Sequence, residues 1–389
     1  MNAVPDDAER LAWLRLARSD GVGPILFERL LTRYGSARAA LRALPDLAAS
    51  QSGARRLRAA EARAVEREAA DMARLGWPWL LRTDASYPDA LAAIADPPPV
   101  LGVRGDATVL ARPCIALIGA RNASANGGVF ARRLASDLAA TGYVIVSGLA
   151  RGIDTAVHAG ALEAGGITVA AIASGLDVAY PLENADLTER IARSGAVISE
   201  RPLGAEPKAR HFPKRNRIIA GLSLGVVVIE AAPASGSLIT ARLALEQGRE
   251  VLAVPGSPMD ERHRGTNQLL RDGAHLVENA ADVLAVIAPL AQRADRTVLP
   301  ARASAAVRRT SAVHARGAPA PTAVMAEAEM PDGLSGALLR LLGPEPLAVD
   351  ELVRQVAAGA AEVQEALAEL ELDDRIARHP GNRVSRAQA

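Results

Sequence analysis

The stretch CIALIGARNAS (Cys114–Ser124) indicates the fold class, because an apolar run suited to a buried strand leads directly into a glycine and a polar loop. A helical pattern follows over Gly127–Ala140. A strand that ends in a small-residue loop and continues into a helix is the opening unit of a doubly wound α/β sheet. This interpretation requires further strands of the same kind along the chain.

The same unit recurs. Further apolar strand runs are predicted at Tyr143–Ser147, Thr168–Ser174, Ala196–Ser199, Gly225–Glu230 and Glu250–Pro255. Helical patterns alternate with them over Thr155–Ala164, Ala185–Ser194, Arg217–Ser223 and Ser237–Gln247. Near-continuous apolar strands that alternate with helices are typical of a mostly parallel sheet covered on both faces. We predict a Rossmann-like, doubly wound domain over residues 82–288.

The two flanks have different patterns. Residues 1–81 have helical spacing broken by Gly21–Pro24, which predicts a helical domain of the helix-hairpin-helix or SAM-like kind; its turn can hold DNA phosphates or serve only in packing. Residues 289–332 lose periodicity and predict a flexible linker. Residues 333–389 predict a winged-helix domain, whose acidic third helix favours a protein partner over DNA.

The composition narrows the kinds of partner. Net charge is only +1 over 389 residues, so binding to a polyanion requires a local cluster of cations. Aromatic residues make up 3%, which argues against a large platform for stacked bases. The single cysteine excludes an intrachain disulfide, and no signal-peptide pattern or long apolar stretch is present. We expect a cytoplasmic protein without membrane association.

Candidate ligand-binding residues follow the strands, because ligands of open α/β sheets bind beyond the carboxyl ends of the strands. Small-residue loops that lead into helices expose amides to an anion, and a nearby arginine adds charge. The candidates in these loops are Gly119, Arg121, Ser124, Ser147, Gly148, Arg151, Gly152 and Ser237.

A second group lies in HFPKRNRIIAGLS (His211–Ser223), which gathers cations before what is predicted to be a helix beginning near Arg217. The dipole at a helix N-terminus favours an anion, so the cations indicate an anionic ligand there. The candidates are Phe212, Lys214, Arg215, Asn216 and Arg217. Together with the loops, they predict an elongated ligand with several phosphates.

Three enzyme classes are disfavoured. The first loop lacks G-x-G-x-x-G and the second strand ends at Ser147, which counts against a nicotinamide dehydrogenase. The histidines are scattered without H-E-x-x-H, and G-x-S-x-G is absent. We predict no catalytic residues, no cofactor and no metal.

Taken in order, YPDAL, IGARNAS, SGLARGIDTAVHAGAL, SGLDVAYPLEN, ISERPLG, HFPKRNRIIAGLS, VVVIEAAPASGSLITARLALEQGREVLAVPG and GTNQLLRDGAHLV resemble the DNA-processing protein A family, also called DprA or Smf. The resemblance is continuous over about 83–285. It implies a single-stranded DNA-binding protein of natural transformation that protects incoming DNA, helps load the RecA recombinase and displaces single-strand-binding protein.

The resemblance also implies positions. The family's phosphate-binding residues match Gly119, Arg121, Ser147, Gly148, Gly152, Phe212, Arg215, Asn216 and Arg217. Where some relatives have a lysine in the third loop, this chain has Leu182, and Lys208 or Lys214 is the alternative contact. The implied surface for homodimerisation and for RecA is about 259–277, with the leucines Leu269, Leu270 and Leu276.

Two other functions stay open. A nucleotide-processing enzyme similar to the phosphoribohydrolases would carry P-G-G-x-G-T-x-x-E, and this chain has APASGSLITARLALE with Glu246 as the final acid. A winged-helix transcription factor with a sensory Rossmann-like domain is weakened by the acidic third helix.

Overall fold

A computed structural model describes residues 5–50, 57–233, 235–303, 333–342, 347–356, 360–372, 375–379 and 383–386. The chain divides into two compact units. The larger unit contains residues 1–45 and 57–307, and the smaller one contains residues 46–56 and 308–389. The larger unit carries the sheet and all the candidate DNA-binding residues.

The chain begins with four helices, α1 (Asp7–Arg18), α2 (Pro24–Tyr34), α3 (Ala37–Ser50) and α4 (Ala62–Leu75). The Asp6 carboxylate caps α1 by accepting the N–H of Glu9 at 2.7 Å. Pro24 opens α2, where the missing N–H has no intrahelical role. Asp20, in the turn between α1 and α2, exchanges two main-chain hydrogen bonds with Arg58, which attach the turn to the segment before α4.

A nine-stranded sheet follows. Its strands are β1 (Trp79–Leu81), β2 (Val100–Gly105), β3 (Cys114–Ile118), β4 (Val144–Ser147), β5 (Thr168–Ala171), β6 (Ala196–Ser199), β7 (Gly225–Val228), β8 (Glu250–Ala253) and β9 (His275–Leu276). Their spatial order is β1-β2-β6-β5-β4-β3-β7-β8-β9. Strands β3 to β9 are parallel, and β1 and β2 complete one edge in antiparallel pairing. The predicted doubly wound, mostly parallel sheet is confirmed.

The order reverses between β3 and β7. From β3 the chain adds β4, β5 and β6 on one side, and it then returns to place β7 and β8 on the other side of β3. Such a reversal is the switch point where nucleotides bind in doubly wound folds.

The helices of this domain are α5 (Asp89–Ala92), α6 (Ala125–Ala140), α7 (Ile153–Glu163), α8 (Ala185–Ser194), α9 (His211–Leu222), α10 (Gly236–Glu246), α11 (Glu261–Arg271) and α12 (Ala280–Ala303). Alternate residues of β3 point to opposite faces of the sheet. Ile115 and Leu117 belong to a core with α6, α7 and α12, whereas Ala116 and Ile118 belong to a core with α9 and α10. Both faces are covered, which explains why these strands are almost entirely apolar.

Two boundaries differ most from the predictions. Helix α9 begins at His211 rather than Arg217, because Pro213 lies in the first turn, where a helix tolerates proline. The basic cluster is therefore inside the helix and not ahead of it. Helix α12 continues to Ala303, into the segment predicted as linker, and buries Ile287 and Ala291 on its way. The rest of that predicted linker, 304–332, lies outside the described residues.

The smaller unit contains α13 (Gly333–Leu341), β10 (Leu347–Ala348), α14 (Val349–Gln355), α15 (Ala360–Leu372), β11 (Ile376–His379) and β12 (Arg383–Arg386). Its strands form a sheet in the order β10-β12-β11. Leu352, Val363, Leu367 and Val384 are buried in its core. The three helices and hairpin confirm the predicted winged helix. In the part of the chain that the structure describes, no helix is long and apolar enough to cross a membrane.

Candidate nucleic-acid interface

Three loops meet where strands β3, β4 and β5 end. Loop 1 is 119–124, loop 2 is 148–152 and loop 3 is 172–181. With the start of α9, they line one cleft, whose walls include Arg121, Leu149, Tyr180, Phe212 and Arg215. We call this surface the carboxyl-edge cleft. The topology therefore brings loops 1 and 2 and the basic helix together, as the sequence predicts.

An arginine and two rings form the face of this cleft. The Arg121 guanidinium lies over the Phe212 ring, 4.7 Å from its centroid. The Tyr180 ring is tilted against Phe212 with centroids 5.9 Å apart. Arg121 and Tyr180 are exposed, so a flat apolar surface and a free charge are offered side by side. Cations favour ring faces in this way, and a base could stack on the same rings.

Loop 2 is held in a tight turn by a buried carboxylate. Asp154 accepts the N–H groups of Gly148 at 3.1 Å and Ala150 at 3.3 Å. Leu149 has φ +56°, in the left-handed region, and its carbonyl accepts the Nδ2 of Asn184 at 3.1 Å. Burial raises the pKa of Asp154, an effect that Arg215 opposes. These hydrogen bonds hold loop 2 in a single tight turn.

Arg215 faces inward rather than toward a ligand. Its guanidinium donates to the main-chain carbonyls of Gly148 and Ala171, the latter at 2.6 Å, and only 5% of the residue is exposed. Burial lowers its pKa to about 10, against the attraction of Asp154. A Cβ on Gly148 would overlap this guanidinium. Arg215 therefore ties α9 to the ends of β4 and β5.

Arg217 and Asn216 are also interior. Arg217 forms ion pairs with Glu200 and with Asp96, and its side chain is 6% exposed. Asn216 accepts the Nε of Arg215 at 3.2 Å and donates to the carbonyl of Gly236 at 3.3 Å. The structure thus places the last three residues of the predicted KRNR cluster inside the protein, and only Lys214 is exposed.

The exposed cations near the cleft differ in their pairing. Arg151 forms an ion pair with Glu183, so the charge of Arg151 is less available to an anionic ligand. Lys208, Arg210, Lys214 and Arg121 have no acidic partner within the described residues. Burial, followed by the neighbouring cations Arg201, Arg210 and Lys208, lowers the pKa of His211. The start of α9 therefore lies in a positive local field.

The three predicted serines make hydrogen bonds within the protein. Buried Ser147 donates to the carbonyl of Leu117 at 2.7 Å, and half-buried Ser237 donates to that of Gly119 at 2.8 Å. Ser124 caps α6, with its Oγ accepting the N–H of Gly127 at 2.8 Å. A Cβ on Gly152, which has φ +74°, would overlap the carbonyl oxygen of Ala120. These residues bring loops 1 and 2 close together.

Sequence reasoning did not single out three residues at this edge. Tyr180 lies in the third loop, where an aromatic residue in a chain with few of them was the available signal. Glu183 neutralises Arg151, which only the fold brings together. Glu230 follows β7 and is fully buried beside loop 1, and an acid directly after an apolar strand was its signal.

The predicted leucines lie on α11, which packs against β8, and on β9, the strand at one edge of the sheet. Leu269 and Leu270 are half-buried on α11, and Leu276 on edge strand β9 is 50% exposed. Met259, just before α11, is 90% exposed. Across the described ranges, no cluster of three or more His, Cys, Asp or Glu residues is placed to hold a metal ion.

Each of the three domains matches a domain of one protein family. Residues 7–70 match the DprA-like N-terminal HHH domain and residues 318–382 match the DprA winged helix domain. Residues 79–288, more than half of the chain, match the family described as DNA recombination-mediator protein A. The chain belongs to this DprA/Smf family.

Individual members of the DprA/Smf family are similar to this chain in sequence and in structure. Protein Smf of Synechocystis sp. is 32% identical over 407 residues, which cover 98% of this chain and 99% of the relative. DNA processing protein DprA of Bacillus subtilis is 46% identical over 198 residues, which cover 51% of this chain and 67% of the relative. The X-ray structure of DNA processing protein A from Streptococcus pneumoniae superposes with a TM-score of 0.61 at 34% identity, covering 73% of this chain and 99% of that one.

Proposed function

We propose that this protein binds single-stranded DNA along the carboxyl-edge cleft and acts as a recombination mediator, not as an enzyme. The observation that carries the proposal is the stack of exposed Arg121 on Phe212, beside Tyr180. Stacked rings accept any base, and unpaired cations accept the phosphates between bases. A duplex hides its base faces, so the cleft favours a single strand.

The phosphate contacts that we propose differ in kind. Arg121 and Lys214 contact phosphates directly, with Lys208 and Arg210 extending the path along the segment before α9. The amides of Arg151 and Gly152 have no acceptor among the described residues and add neutral donors at the start of α7. Arg215, Asn216 and Arg217 support this surface from beneath. Lys208 and Lys214 supply the charge that Leu182 does not.

The cellular role that we propose is the one that the resemblance to the DprA/Smf family implies. Bound protein would shield incoming single strands from nucleases, help load RecA and displace single-strand-binding protein during natural transformation. Homodimerisation would join two clefts on one strand and raise avidity. Support for the surface comes from Leu276, which is exposed on β9, the strand at one edge of the sheet, and from Met259, which is exposed just before α11.

A gel-shift comparison tests the binding. Wild-type protein, Arg121→Ala and Arg133→Ala are titrated against the same oligonucleotide as single strand and as duplex. Arg133 is the matched control because it is an equally charged, exposed arginine on α6, outside the cleft. We expect a loss of about 10-fold or more for Arg121→Ala, from one charged hydrogen bond, and none for Arg133→Ala. Equal affinity for duplex, or equal behaviour of the two variants, would contradict the proposal.

A further inference from the structure

The switch point between β3 and β7 is closed by a carboxylate of the protein itself. Glu230 follows β7 and is 0% exposed. Its Oε2 accepts the N–H of Ser124 at 3.0 Å, and its Oε1 accepts the Ser124 hydroxyl. Ser124 is the cap residue of α6, the helix that follows the first strand of the doubly wound unit.

This is the position at which doubly wound proteins hold the phosphates of a nucleotide. In such folds the first strand leads to a helix whose N-terminus faces the pyrophosphate. A glycine there allows a ligand close to the backbone. Here the glycine is Gly127, in the first turn of α6, and a Cβ on it would overlap the Glu230 carboxylate. The space that a glycine leaves for a ligand is filled by a side chain.

The surroundings of Glu230 hold it there. The Nε2 of His263, from α11, lies 3.8 Å from its Oε1. The Ser124 hydroxyl, which donates to Glu230, accepts the N–H of Gly127 at 2.8 Å, so the carboxylate and the helix N-terminus are linked through one group. A phosphate entering this space would meet a buried negative charge at contact distance.

We propose that Glu230 determines ligand class in this protein. It occupies the phosphate position of the switch point, excludes nucleotides from it, and anchors the end of loop 1 so that Arg121 faces the neighbouring cleft. Phosphates are then accepted only along the strand ends β3 to β5, which suits a chain of linked phosphates. The inference rests on the proposed function for the ligand that is admitted, whereas the exclusion of nucleotides stands on Glu230 alone.

Inorganic pyrophosphate is the probe for the closed site. Calorimetric titration compares wild type, Glu230→Ser and Glu163→Gln, the last being a control at an exposed carboxylate of α7. We expect wild type and control to bind pyrophosphate equally weakly, through the exposed cations of the carboxyl-edge cleft, and Glu230→Ser to bind it at least 10-fold more tightly. A folded Glu230→Ser that binds no better than wild type overturns the inference.

A second measurement uses wild type alone and does not depend on how the variant folds. The amide chemical shifts of Ser124 and Gly127 are followed during titration with pyrophosphate. We expect them to stay unchanged, while those of loop 2 move on titration with a thymidine oligonucleotide. Movement of the Ser124 and Gly127 amides with pyrophosphate overturns the inference even if DNA binds. Absence of DNA binding with those amides unmoved contradicts the proposed function and leaves the role of Glu230 in place.

Discussion

Replacing Arg215 with alanine separates a framework role from a DNA contact. Its guanidinium donates to the carbonyls of Gly148 and Ala171 and faces Asp154 in the interior. Removing it leaves two buried carbonyls without a donor, each at a cost of about 1–3 kcal/mol, and a buried carboxyl without its counter-charge. We expect the free energy of unfolding to fall by about 3–5 kcal/mol.

That loss is a large share of the roughly 5–15 kcal/mol that stabilises a typical protein. For a domain of this size each kcal/mol lowers Tm by about 2–4 °C, so Tm should fall by roughly 10 °C. Calorimetry and single-stranded DNA titration are run on Arg215→Ala beside Arg121→Ala. The exposed Arg121 should change Tm by no more than about 2 °C and lose DNA affinity.

The opposite pattern would refute this reasoning. If Arg215→Ala kept the wild-type Tm and lost DNA affinity as steeply as Arg121→Ala does, its guanidinium would be a ligand contact. The inward hydrogen bonds would then not describe the DNA-binding form of α9.

Three further predictions concern stability and reactivity. Burial lowers the pKa of His158 to about 3, so between pH 7 and pH 5 this histidine gains a proton only in the unfolded state. The free energy of unfolding, measured by urea titration, should therefore fall by about 2 kcal/mol from pH 7 to pH 5. Most of that decrease should be absent in His158→Gln. Gly160→Ala should destabilise the protein by about 1–3 kcal/mol, because its Cβ would overlap the carbonyl of Arg132 on α6. Gly128→Ala, which has open space around it, should stabilise the protein by about 0.5–1 kcal/mol. Equal effects of the two variants on Tm would exclude the close packing of Gly160 against α6. Burial raises the pKa of Cys114 to about 12, so the native thiol should not react with Ellman's reagent until urea unfolds the domain, and prompt native reaction would contradict its place in the core.

The sheet could be predicted from the sequence because its signals are local. Cys114–Ile118 and its counterparts are nearly continuous apolar runs that alternate with helical patterns, and each of those runs contains an observed strand. Some strand ends differ by one to three residues, because residues such as Ala173 and Ser174 continue an apolar or small-residue run beyond the last paired residue of the strand. The gathering of loops 1 and 2 follows from topology alone.

The direction of individual side chains could not be predicted. Charge and spacing alone do not separate Lys214, which is exposed, from Arg215 and Arg217, which are buried. Burial of an arginine depends on acceptors from distant parts of the chain, here Glu200 and the carbonyls that end β4 and β5. Glu230 was missed for the same reason, since its partner Ser124 lies on another strand end.

The dependence of single-stranded DNA affinity on salt tests the central claim most directly. Each phosphate neutralised on a single strand contributes about −0.7 to the slope of log K against log salt concentration. Arg121, Lys208, Arg210 and Lys214 together predict a slope of about −3 per protomer, falling in magnitude by about 0.7 in Arg121→Ala. A slope near zero, or the same slope for wild type and Arg121→Ala, would contradict a phosphate-binding edge built from these exposed cations.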